Sequence, residues 1–96
     1  MAEYILAPKA VASLRAIAKK SDDLFGREKT RQYIAALNDQ FELLAEFPEK
    51  GRERNELKIG IRSCPEGSHM IYYRIKDQHV EIVDVLHQSM DPSIRL

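Results

Sequence analysis

The sequence predicts an α+β domain: an antiparallel β-sheet with an N-terminal helical hairpin packed on one face, in the order β-α-α-β-β-β. Three observations carry that expectation. Apolar residues recur at helical spacing through the first half, the period falls to two after Gly51, and two strand-like runs near the end lie only two residues apart. With 96 residues, 44% hydrophobic and 31% charged, the chain has the size and composition of one globular domain, taken as residues 1–96.

Residues 3–7 (EYILA) form a short apolar run ended by Pro8 and read as the first strand. Pro8 also suits the first position of a helix, where its missing N–H would have no partner anyway. Val11, Leu14, Ile17 and Ala18 follow as an amphipathic stripe. Gly26 ends that helix, either by taking a left-handed cap conformation or by relieving crowding where two helices meet. Residues 27–47 give the clearest element, with Tyr33, Ile34, Leu37, Phe41, Leu44 and Ala45 on one face and Pro48 as the stop. Asp39, Glu42, Glu46 and Glu49 form its wet side. So short a connection at Gly26 predicts an antiparallel hairpin. Beyond Gly51, Leu57, Ile59 and Ile61 alternate with Lys58, Gly60 and Arg62, a half-buried strand, and Pro65-Glu66-Gly67 reads as a turn. Residues 69–76 and 79–87 pair as a tight hairpin across Asp77 and Gln78. That register sets Arg74 opposite Glu81. It also leaves Asp84 among Ile71, Tyr73 and Ile82, poor surroundings for a carboxylate unless a β-bulge between Val80 and Asp84 intervenes. The hairpin covers one sheet face; the other is expected to be wet or open to a partner.

Fifteen basic residues balance fifteen acidic ones, so the whole chain has no electrostatic pull toward nucleic acid, and direct sequence-specific nucleic-acid binding is not expected. The distribution is uneven. Residues 9–31 hold seven bases against three acids, residues 39–49 four acids and no base, and residues 50–62 five bases against two acids. Patches of both signs suit a protein partner. No apolar run approaches the roughly 18 residues of a membrane span, and the start MAEYILAPKA lacks a basic n-region and an apolar h-region. A cytoplasmic protein without membrane attachment is expected. Cys64 is the only cysteine, which excludes an intrachain disulfide and a multi-cysteine zinc site and reads as a passive thiol near a turn.

Taken in order, Gly51-Arg52, Glu56-Leu57, Gly60-Ile61-Arg62, Gly67-Ser68-His69, Ile71, Tyr73-Arg74 and the terminal Leu86-His87-Gln88-Ser89-Met90-Asp91 form a signature. Tyr4, Leu6, Pro8, Ala10, Leu14, Ile17, Gly26, Tyr33 and the run from Leu44-Ala45 to Pro48 agree with it. From about Tyr4 to Asp91 the chain resembles the ParE branch of the RelE/ParE superfamily of bacterial toxins. The resemblance implies a compact sheet packed by a helical hairpin and the toxin role in a type II toxin–antitoxin system. It further implies inhibition of DNA gyrase by binding, without chemistry or cofactor. The partner implied is a ParD-type antitoxin whose disordered C-terminal segment wraps the toxin in a hetero-oligomer. The alternatives are a ribosome-dependent mRNA endonuclease of the RelE type and a non-toxic, antitoxin-binding remnant.

The signature is densest on the last strands and the tail, which makes Arg62, Tyr73, Arg74, His87, Met90 and Asp91 the candidates for target contact. Arg15 on the basic face of the first helix, and Arg52 and Arg54 in the Gly51 loop, are the candidates for antitoxin contact; the loop borders an exposed sheet edge or groove that an acidic segment would fill. No residue is cast as catalytic. RelE-like nucleases use basic groups on the sheet, an Arg late in the last strand and a Tyr in the tail; here Lys58 and Arg62 fit the first part, but the end offers His87, Ser89 and Met90 and no Tyr. His69 and His87 are near enough to meet, yet two histidines without a third ligand more often anchor a turn and a strand end by hydrogen bonds, so no metal is expected. Tyr72 and Tyr73 should point to opposite faces, one into the core and one to the surface.

Overall fold

Pro8 fixes where the first strand ends and the first helix begins. The structure, a computed structural model, describes residues 3–96. Strand β1 (Tyr4–Leu6) passes to helix α1 (Pro8–Phe25) with the proline in the first turn. Between them Ala7 donates its N–H to the Ile82 carbonyl and accepts from Val11 N–H, so the helix start is pinned to the sheet. Gly26 separates α1 from α2 (Arg27–Glu46) with φ 87° and ψ 167°, a region open essentially only to glycine. A Cβ there would meet nothing within 4 Å, so the backbone angles and not crowding demand the glycine. The expected stripe on α2 is present, with Leu37, Phe41 and Leu44 fully buried.

After α2 come a single turn at Pro48–Lys50, then β2 (Arg52–Glu53), β3 (Ile61–Glu66), β4 (His69–Ile75), β5 (Val80–His87) and a short terminal helix α3 (Pro92–Arg95). Sheet order is β1-β5-β4-β3-β2. Strands β2 to β5 run antiparallel, as the sequence predicts. Because the helical hairpin carries the chain back across the face, β1 joins β5 in parallel, Tyr4 beside Val80 and Leu6 beside Ile82, and the sheet is mixed at that edge. Both helices lie on one face over Ile71, Tyr73, Val80, Ile82 and Val85, and the core sits between.

Two expectations about the middle of the chain are corrected. The alternation at Leu57, Ile59 and Ile61 is not a strand: residues 55–60 form turns, Gly60 takes φ 88°, Ile59 is 85% exposed, and β3 starts only at Ile61. Pro65 lies inside β3, and the turn is Gly67-Ser68, with Gly67 at φ 57° as a two-residue turn of the II′ kind requires. In such a hairpin the closing pair Glu66–His69 is hydrogen-bonded and the next pair, Pro65–Met70, is not, so the missing N–H of Pro65 points away from β4. On that side β2 reaches only Arg62 and Ser63, so no ladder bond is lost.

The β4–β5 register places Arg74 opposite Glu81 as expected, although the ion pair of Glu81 is with Lys76, at 3.9 Å. The bulge is there too. Pairing shifts between Tyr72–Asp84 and Tyr73–Ile82, leaving Val83 as the extra residue. It does not expel Asp84, which is 2% exposed; the carboxylate accepts from the Ser13 hydroxyl of α1 at 2.5 Å and from Val85 N–H at 2.8 Å. Nor is the second face of the sheet wet. Tyr72, Ile61 and Leu86 form a smaller core there with Leu57, Met70, Val83 and Leu96, and the Arg54 guanidinium lies 5.9 Å from the Tyr72 ring. Both tyrosines are therefore buried, on opposite faces, where one was expected at the surface.

Candidate functional site

The end of α1, the first turns of α2, the Gly67-Ser68 turn and the end of β5 enclose an apolar cleft of about 510 Å³. Ile17, Leu24, Phe25 and Met90 supply its walls, Lys20 and Lys29 lie at its rim, and Tyr33, Ser68, His69 and His87 form its floor. Leu24, Phe25 and Met90 are 62%, 67% and 41% exposed. The stripe of α1 continues at Leu24 and Phe25 with no core left to meet.

Three groups surround the Tyr33 hydroxyl: the Glu66 carbonyl at 3.0 Å, Ser68 N–H at 3.2 Å and His69 Nδ1 at 2.6 Å. The oxygen accepts from Ser68 N–H and offers its one proton to the Glu66 carbonyl or, in the tautomer with Nδ1 bare, to His69. The state of His87 is set by its own strand end. Its Nδ1 accepts from Ser89 N–H at 3.1 Å, which puts the proton of the neutral ring on Nε2. The two rings meet edge to face, 5.3 Å between centroids, directly paired across β4 and β5. Burial, reinforced by His87 and Lys20, holds the His69 pKa below the usual histidine range and keeps that ring neutral. A metal bridging the pair would need a lone pair on both Nε2 atoms, so the arrangement does not fit one. The histidines anchor a turn and a strand end by hydrogen bonds, as read from the sequence.

Toward the far edge of the sheet, a second tyrosine closes a second glycine loop. The Tyr73 hydroxyl accepts from Gly51 N–H at 2.8 Å and donates to the Pro48 carbonyl at 2.6 Å. Arg62 donates to the Gly51 carbonyl at 2.7 Å and reaches the Glu49 carbonyl and the Glu53 carboxylate at 3.4 and 3.5 Å. Burial pushes the Tyr73 phenol above the usual tyrosine range.

Of the six residues read as target contacts, His87 and Met90 meet in the cleft, while Arg62 and Tyr73 meet at the Gly51 loop. Tyr73 is fully buried and has no surface to offer a partner, and Arg62 is tied to backbone carbonyls. Arg74 is half-buried on β4 opposite Ile61. Asp91 caps α3; the Ser93 hydroxyl and N–H hold its carboxyl below the usual range. The three antitoxin candidates do not form one patch. Arg15 is exposed on α1, Arg52 is exposed on β2 at the opposite edge of the sheet, and Arg54 is held by Glu56, which raises the Arg54 pKa and lowers that of Glu56. The cleft is lined by neither Arg52 nor Arg54. The cleft residues Lys20, Leu24, Phe25 and Lys29 were not singled out from the sequence. The signal available was the 3–4 spacing of Ala18, Ser21, Leu24 and Phe25, which carries the apolar stripe up to Gly26.

A helical hairpin packed on one face of a mixed five-stranded sheet, with an apolar, basic-rimmed cleft at one end, is the RelE/ParE-like fold. Residues 4–92 match the family described as the ParE toxin of the type II toxin–antitoxin system parDE. The chain is 38% identical over 96 residues to Toxin ParE1 of Caulobacter vibrioides, covering 100% of this chain and 99% of that one. It is 35% identical over 89 residues to Toxin ParE1 of Mycobacterium tuberculosis, covering 92% and 91%. The chain belongs to the ParE toxin family. Among solved structures it superposes on a chain of the chromosomal ParDE toxin–antitoxin system from P. aeruginosa with TM-score 0.77 and 22% identity, covering 91% of this chain and 96% of that one. A chain of the RelBE2 toxin–antitoxin complex from M. tuberculosis gives 0.57 at 22% identity, with 88% and 95% covered; these two likenesses concern the fold. No helix among the described residues is long and apolar enough to cross a membrane.

Proposed function

We propose that this chain inhibits DNA gyrase by binding it, performs no chemistry of its own, and is held inactive in the cytoplasm by a ParD-type antitoxin in a hetero-oligomer. Membership of the ParE family supports the toxin role, and the two related structures, which belong to toxin–antitoxin assemblies, support the antitoxin. One observation carries the non-enzymatic reading. Arg62, the sheet arginine that a ribonuclease would aim at a phosphate, is turned onto the carbonyls of Gly51 and Glu49. A protein acting as a ligand loses activity in a graded way across a surface, with a few anchors dominating. The RelE-type nuclease has one feature in its favour, the neutral His69 beside His87 with Lys20 and Lys29 in the same cleft.

Two assays on the purified chain separate these readings: gyrase supercoiling with gel readout of cleaved DNA complexes, and mRNA cleavage on programmed ribosomes. The expected result is lost supercoiling, accumulated cleaved DNA and intact mRNA. If mRNA were cut, cutting fell about 100-fold in His87→Ala, and gyrase were untouched, the nuclease reading would replace this one.

A further inference from the structure

The sheet face away from the helical hairpin is closed by two clips built alike. One is the loop between β2 and β3, with Leu57-Lys58-Ile59; the other is the tail, with Ile94-Arg95-Leu96. In each the leucine packs on the small core of Ile61, Tyr72 and Leu86, the base is exposed, and the isoleucine faces water. Ile59 is 85% and Ile94 80% exposed, more than any other large apolar residue described. Ile5 of β1 adds to this face: its neighbours Tyr4 and Leu6 join the main core, so it points the other way and is 53% exposed.

Neither isoleucine is exposed through slack in the chain. Leu57 N–H and Lys58 N–H donate to the Arg54 carbonyl, Ile61 N–H to the Lys58 carbonyl, and Gly60 N–H to the Asn55 side chain, so the loop holds Ile59 off the core. In the tail Asp91 caps α3 through Ser93 N–H, Leu96 N–H donates to the Pro92 carbonyl, and Lys9 of α1 donates to the Arg95 carbonyl. Single apolar side chains are ordinary on a surface, but two fixed over one face are anchors ordered in advance of binding. The charges narrow the occupant. Lys58 and Arg95 enter no ion pair among the described residues, whereas Glu53 and Glu56 are engaged by Arg62 and Arg54. A nucleic-acid backbone would use the bases and leave the isoleucines in water, so the fit is to a protein surface with carboxylates around apolar sockets.

We propose that the chain grips its target with this face: an acidic protein surface takes Ile59 and Ile94 as anchors and meets Lys58 and Arg95 with carboxylates. The proposal rests on the reading in which that target is gyrase. It moves the contact away from Arg62 and Tyr73, whose side chains hold the Gly51 loop.

The test is inhibition of purified gyrase on relaxed plasmid by the full chain, with melting curves to show that each variant folds. Ile59→Ser/Ile94→Ser alters only exposed side chains and should need about 30-fold more protein for half-inhibition, as loss of central anchors does. Lys58→Glu/Arg95→Glu should need about 10-fold more. Leu43→Ser, on the exposed side of α2, should stay within about twofold. In calorimetric titration with the purified protein encoded in the adjacent reading frame, the isoleucine variant should bind as the parent does. If that variant inhibits gyrase as the parent does, the surface assignment falls and the gyrase reading stands. If the parent itself leaves gyrase untouched, both fall. If only the charge variant loses inhibition, the occupant is the DNA backbone of the gyrase complex. If the isoleucine variant keeps inhibition but loses antitoxin affinity, or a dimer in sedimentation, the face belongs to the antitoxin or to a second copy. Either result overturns the proposal.

Discussion

The molecule uses one device twice and puts it in two different surroundings. At Gly51 and at Gly67 a glycine loop is closed by a tyrosine hydroxyl from a distant element, and in each case a Cβ on the glycine would run into the tyrosine ring. Around Tyr73 the knot is sealed, with the phenol fully buried and its bonds to Gly51 and Pro48 completed by the Arg62 guanidinium. Around Tyr33 the same bonding stands half-open on the cleft, with His69 and His87 beside it. Packing turns the first knot into scaffold, while solvent access leaves the second as the wall of an open cleft.

The largest expected effect is steric. Gly51→Ala would place a methyl 2.6 Å from Cε1 of the buried Tyr73 ring, closer still to its hydroxyl, and should destabilise by about 3 kcal/mol in urea denaturation. Gly67→Ala also strains a φ of 57° and meets Cε1 of Tyr33 at 2.5 Å, but that ring can yield into the cleft, so about 1–2 kcal/mol is expected. Equal costs would erase the distinction between the knots. Next, Tyr73→Phe leaves the buried Gly51 N–H and the half-buried Pro48 carbonyl without their partner and should cost about 2–3 kcal/mol. Tyr33→Phe frees groups that the solvent in the cleft can reach, and should cost about 1 kcal/mol.

Much of this was legible in the residues. The α2 stripe, the β4–β5 hairpin and the bulge before Asp84 follow from periodicity and from the cost of a carboxylate among Ile71, Tyr73 and Ile82. What rescued Asp84 was not legible, because Ser13 lies 71 positions away. The strand expected at residues 57–62 failed because a period of two over three apolar residues is also what a turn produces when Leu57 folds onto a second core and Ile59 faces water. That core was itself hidden, since it is assembled from a loop and Leu96 at the end of the chain. The parallel seating of β1 depends on how the hairpin crosses the sheet, which no local pattern records. Among site residues, His87 and Met90 stood out through the motif they belong to. Arg62 and Tyr73 stood out for the same reason, yet their part in it is to hold the Gly51 loop.

The smallest expected effect is a pH dependence confined to the open knot. With its folded pKa held below the ordinary 6.5 by burial, by His87 and by Lys20, His69 binds fewer protons folded than unfolded in that window. Its contribution is fully present above pH 6.5 and is lost as the pH falls through the folded value. His69→Asn keeps an uncharged hydrogen-bonding group beside the Tyr33 hydroxyl and should flatten the acid limb of the stability curve. Tyr73, whose pKa is raised above 10, should add nothing to that limb. An unchanged acid limb in His69→Asn would show that other groups set it.

Native-state amide hydrogen exchange compares the two knots in one experiment, through the N–H that each tyrosine hydroxyl accepts: Gly51 for Tyr73 and Ser68 for Tyr33. If the sealed knot is scaffold and the open one a working surface, Gly51 exchanges only through global unfolding. Ser68 then exchanges through local opening of the cleft, with protection lower by about 100-fold. Equal protection at the two amides, or greater protection at Ser68, would contradict the division of the molecule into a locked region and an open one.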